Sequence, residues 1–79
     1  MDTVSMHIQK INEGVHALHD KARLHVGNFK WINGQWKFKA IGYDPSGHVV
    51  PGGGPLTDRH NSTFLHLDAS VIRAQFFKE

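Results

Sequence analysis

Seventy-nine residues without a cysteine allow one domain, 1–79, with a small core, and exclude disulfide staples and thiolate metal sites. Nine Lys and Arg against seven Asp and Glu leave +2 with neutral histidines, a weak bias toward anionic partners that seven histidines strengthen on mild acidification. No apolar run resembles a signal peptide or reaches the roughly 20 residues of a membrane span, so the expectation is a cytoplasmic protein with no membrane partner.

In chain order, the spacing of Val4, Ile8, Ile11, Val15, Leu18 and Ala22, alternately four and three apart, predicts an amphipathic helix over residues 3–25. Gly14 inside it costs about 1 kcal/mol relative to Ala, so the helix needs packing to form. It is expected to lie on the sheet that follows. As a heptad seam, Val4, Ile8, Ile11, Val15 and Leu18 are also the predicted interface of a homodimer, and Met6 and Leu24 lie off the stripe, free to touch a second surface.

Residues 28–39 are predicted to be a β-hairpin, because Asn33-Gly34 suits the two φ > 0 positions of a type I′ turn. A two-residue loop fixes the register. Ile32 then faces Gln35, Trp31 faces Trp36, Lys30 faces Lys37 and Phe29 faces Phe38, which puts both Trp and both Phe on one buried face and Lys30, Lys37 and Lys39 on the other. Two directly opposed lysines are destabilising unless solvent, a carboxylate or a phosphate compensates, so this face is the predicted nucleic-acid or anion site.

Asp44-Pro45-Ser46-Gly47 has the preferences of a type I turn at all four positions and leads to a third strand at residues 48–50. Pro51-Gly52-Gly53-Gly54-Pro55 is a loop; it lacks the Gly-Lys-Ser/Thr ending and the G-x-G-x-x-G pattern of phosphate loops, so no nucleotide cofactor is expected. Residues 62–67 alternate weakly as a fourth strand. Asp68 is an N-cap for a short final helix over residues 69–78 that buries Ile72 and Phe76.

The predicted fold class is therefore α+β: an N-terminal amphipathic helix on a three-stranded antiparallel meander, four-stranded if residues 62–67 pair, then a Gly-rich loop and a short C-terminal helix. The order resembles the arrangement of the double-stranded RNA-binding domain over nearly the whole chain. That family opens its second helix with a lysine cluster, and the corresponding Asp68-Ala69-Ser70-Val71-Ile72-Arg73 has no lysine, so no site is carried over.

His16 and His19, three apart beside Asp20, match no zinc motif and are read as exposed helix histidines; no metal site is expected. His60 follows Arg59 and precedes Ser62 and Thr63, residue types that metal-independent ribonucleases use for proton transfer and phosphorane stabilisation, and that also describe an ordinary capped turn. The leading expectation is a small non-enzymatic binding or regulatory protein that self-associates and meets nucleic acid or an acidic protein surface through Lys30, Lys37 and Lys39. Two alternatives stand beside it: a toxin-type ribonuclease using His60 and Arg59, and a protein inhibitor acting through the exposed loop and terminal helix.

Overall fold

The computed structural model describes residues 6–77. Its strands, all antiparallel to their neighbours, are β1 (Met6–Asn12), β2 (Val15–Asp20), β3 (His25–Ile32), β4 (Gln35–Tyr43), β5 (Val49–Pro51) and β6 (Thr63–Phe64). The single α-helix among the described residues, α1 (Ala69–Phe77), follows. The sheet runs β1-β2-β3-β4-β5, and β6 pairs with the same outer edge of β4 as β5, further along the strand.

This corrects the expected fold class. Among the described residues no helix precedes the sheet: residues 6–25 of the stretch predicted to be helical form β1, β2 and the start of β3, and the three-stranded meander gives way to a six-stranded, mostly β architecture. The resemblance to the double-stranded RNA-binding domain fails with the first helix. The physical reason lies at Glu13-Gly14, which is a turn. The Asn12 side-chain oxygen accepts the Gly14 N–H at 2.8 Å, and Lys10 pairs with Glu13 across it at 2.7 Å. Folding back at this point makes Ile8 and Leu18 cross-strand partners, so two positions ten apart cover one core. The β-branched and imidazole side chains of the segment suit a pleated surface as well as a helix.

The dimer seam dissolves with the helix. Leu18 is 0% exposed within one chain, Ile8 packs beside it, Ile11 sits exposed at a bulge, and Val15 turns to the other sheet face opposite Lys30. Val4 lies outside the described residues. Met6 is a core residue, whereas Leu24 is exposed in the β2–β3 loop.

The β3–β4 hairpin has the register expected from its turn. Asn33 and Gly34 have φ of 52° and 79°, and the pairs are Ile32 with Gln35, Trp31 with Trp36, Lys30 with Lys37 and Phe29 with Phe38. Phe29 and Phe38 are fully buried with ring centroids 5.1 Å apart, and Phe76 of α1 closes on Phe38 at 4.7 Å. Burial is uneven across the two indoles. Trp36 is half-buried beside Phe64 of β6, but Trp31 is 49% exposed: on the β2 side its partner is Gly14, which accepts its N–H and has no side chain to cover it.

Asp68 caps α1 as expected, accepting the N–H groups of Ser70 and Val71, and Ile72 and Phe76 are its buried residues. With Leu56 and Phe64 they close one sheet face over Met6, Leu18, Val26, Phe29, Phe38 and Ala40. Val26 reaches this face through a bulge. His19 pairs with His25 and Leu18 with Gly27, so an extra β3 residue is accommodated and His25 joins Asn28 on the opposite face.

Two loops share one construction. In Asp44 to His48 the aspartate side chain accepts the N–H groups of Ser46 and His48 while Gly47, at φ 85°, donates to the Asp44 carbonyl. Asp20 to Leu24 repeats every one of these bonds, with Arg23 at φ 67° in the glycine position. Replacing Arg23→Gly removes a left-handed side-chain penalty and should stabilise the fold by about 0.5–1 kcal/mol in urea melts, the gain being reduced by glycine's greater entropy when unfolded. The opposite result is expected at Gly27, where a Cβ would collide with the Phe38 ring; Gly27→Val should cost about 1–3 kcal/mol by overpacking.

Candidate polyanion-binding face

The sheet face not covered by α1 carries Lys30, Lys37 and Lys39. Strand alternation places Val15, Ala17 and His19 of β2, Asn28 and Lys30 of β3, and Lys37, Lys39, Ile41 and Tyr43 of β4 on it, with His7 and Gln9 of β1. Lys30 is exposed and lies directly opposite Lys37. Lys39 is partly buried, and its Nζ donates to the Asn61 side-chain oxygen at 2.7 Å, which holds one cation in place. No ion pair engages Lys30, Lys37 or Lys39 among the described residues. None of the strand positions on this face is Asp or Glu.

The three lysines predicted from the hairpin thus occur together, and a groove of about 390 Å³ opens beside two of them. Asn28, Lys30 and Lys39 line it together with Ile41, Val49 and Pro51, and Gly52 and His60 also border it. Lysines beside apolar side chains in one groove suit a ligand with separate charged and flat apolar parts. Sequence reading treated His60 and the lysine face as unrelated. The structure brings them to one groove, because β5 and β6 both fold onto the β4 edge and His60 lies between them.

The ribonuclease reading of His60 meets a structural use for that residue. Between the two short strands the edge of β4 would expose the Ala40 N–H; the His60 Nδ1 accepts it at 3.0 Å, and Gly52 donates to the Ala40 carbonyl at 2.7 Å. Accepting from an amide makes Nδ1 the unprotonated nitrogen and leaves Nε2 as the N–H, beside Gly52. His60 therefore completes the sheet edge as a side-chain substitute for a strand. Arg59 ends the short 3-10 turn Thr57–Arg59, half-buried, with its amide donating to the Leu56 carbonyl.

His16 and His19 do not act as a pair. Two strand positions of opposite parity put them on opposite faces: His16 packs edge-on against Trp36 at 4.9 Å on the core side, and His19 lies on the open face 5.1 Å from His25. Among the described residues no group of three His, Cys, Asp or Glu is arranged to hold a metal ion, and no helix is long and apolar enough to cross a membrane. The contributions of His7, His25, Asn28 and Arg23 to this face were missed; the signal was the alternation His7-x-Gln9 and Val15-x-Ala17-x-His19, read around a turn at Glu13-Gly14.

No family model, curated protein or solved structure matches the chain.

If His60 serves the sheet edge, His60→Ala should cost about 1–3 kcal/mol, the penalty for leaving a part-buried backbone donor unpaired. Amide hydrogen exchange at Ala40 should accelerate in the same variant. Unchanged stability and unchanged exchange at Ala40 would show that the imidazole is free for another task.

Proposed function

We propose that this chain is a small binding protein that holds nucleic acid on its open sheet face, with Lys30, Lys37 and Lys39 on the phosphates. The observation that carries the reading is the directly opposed Lys30 and Lys37 on a face whose strands bring no carboxylate. Cross-strand like charges cost free energy in the unliganded protein, and a polyanion supplies the missing counter-charge. An acidic protein surface would satisfy the lysines equally well. Nucleic acid is favoured by the groove: Ile41, Val49 and Pro51 give a base an apolar wall within reach of the lysines that take its phosphate.

Titration of labelled single-stranded and duplex RNA and DNA over a range of salt concentrations tests the proposal. Affinity should fall with salt for at least one of them, and Lys30→Gln, Lys37→Gln and Lys39→Gln together should lower the log–log slope by about 2–3, near one per phosphate contact. An unchanged slope in the triple variant, or no binding of any of the four at low salt, contradicts it.

A further inference from the structure

A second cationic group on the same face lies outside the lysine cluster. His7 pairs with His19 across β1 and β2, and His19 pairs with His25 across β2 and β3, so three imidazoles form one row over three strands. The rings of His19 and His25 are 5.1 Å apart and tilted by 31°. His25 is held at both nitrogens, with Nε2 2.9 Å from the Asn28 side-chain oxygen and Nδ1 3.2 Å from the Tyr43 hydroxyl. The hydroxyl can donate or accept, so it can partner the Nδ1 of His25 in either role. His7, Gln9, His19 and Arg23 line a concavity of about 420 Å³, with the guanidinium as the permanent charge.

We propose that His7, His19 and Arg23, completed by His25, form a pH-gated site for a phosphodiester group. The ligand class rests on the reading of the lysine face as a nucleic-acid surface, and the site extends that surface from β3 and β4 across to β1.

The gating follows from the groups around His19. His25 faces it from β3, His7 from β1, Asp20 adjoins it on β2, Arg23 stands in the loop, and Tyr43 of β4 reaches the row through His25. Burial first, then His25 and His7, push the His19 imidazole below its usual value, against the smaller pull of Asp20. The Asp20 carboxylate is also committed to the loop, accepting from Ala22 and Leu24. A lowered folded-state value for a base means that stability is complete above the unfolded value, about 6.5, and falls as pH drops through the window beneath it. Protonating the row crowds like charges beside Arg23, and a bound oxyanion relieves that repulsion while accepting hydrogen bonds from imidazolium and guanidinium.

The test uses the Lys30→Gln, Lys37→Gln, Lys39→Gln variant, so that the row is read apart from the lysine face. Histidine ring resonances are followed by NMR as sodium sulfate is added against sodium chloride of equal ionic strength. Sulfate is a tetrahedral dianion at both pH values used, about 5.8 and about 7.8, so only the protein titrates between them. Saturable shifts of His7 and His19, about tenfold tighter at the lower pH and weakened by Arg23→Gln, are expected. Equal affinity at both pH values, or shifts no different from those in chloride, would overturn the site. A second arm measures a single-stranded RNA oligonucleotide on the wild-type protein and on His7→Gln, His19→Gln. Binding should tighten on acidification only in the wild type. Sulfate saturation without oligonucleotide binding at either pH would overturn the lysine-face reading and the phosphodiester as ligand, and would leave a pH-gated oxyanion site.

Discussion

The division of the sheet into an aromatic face and a lysine face depends on the register of one hairpin. The left-handed pair Asn33 and Gly34 admits a two-residue loop, and that loop makes Phe29 the partner of Phe38 and Lys30 the partner of Lys37. A slip of one residue would exchange the faces, placing lysines against α1 and aromatic rings in water. Phe29 and Phe38 anchor the choice because α1 brings Phe76 onto both, with ring centroids 6.3 and 4.7 Å away. The close approach of the Phe38 ring to Gly27 ties β3 to the same register from the core side.

How much of this was legible in the sequence divides along one physical line. Features fixed within a few residues could be read directly: the type I′ turn at Asn33-Gly34, the aspartate-capped turn at Asp44, the cap at Asp68, and Ile72 and Phe76 as the buried helix residues. Features that depend on where the chain returns could not. Ile8, Ile11, Val15 and Leu18 are spaced as a helical stripe, yet a turn at Glu13-Gly14 sends Ile8 and Leu18 to the core, Ile11 to solvent and Val15 to the opposite face. Nothing local distinguishes the two arrangements, since Gly14 weakens a helix and completes a hairpin equally well. The candidate face was half legible for the same reason: its lysines belong to the hairpin whose register is local, and its histidines belong to strands whose register is not.

A net charge of +2 conceals the separation of charge. Three aspartates, Asp20, Asp44 and Asp68, each accept two backbone N–H groups in loops or at the helix start, and Glu13 pairs with Lys10 at a turn. Four of the five acidic side chains among the described residues are thereby engaged where the chain turns, at the margins of the sheet. What the strands bring to the open face is lysine, histidine, amide, tyrosine and apolar side chains, so a sequence of small net charge folds with three lysines on a face without a strand carboxylate. The short strands β5 and β6 serve the same surface by closing the β4 edge, with His60 covering the gap between them.

On the proposed function the two sheet faces divide the work, one holding the fold together and the other meeting a polyanion. Side-chain chemical-shift mapping during titration with an RNA oligonucleotide tests it most directly. Strand amides alternate poorly between faces, so the decisive resonances are side-chain ones: the Lys30, Lys37 and Lys39 methylenes and the Asn28 amide should move, while the Leu18 and Ile72 methyls and the Phe29 ring stay in place. Shifts concentrated on Trp31, Trp36 and α1, with the lysine side chains unmoved, would place binding on the wrong side of the sheet and contradict the account.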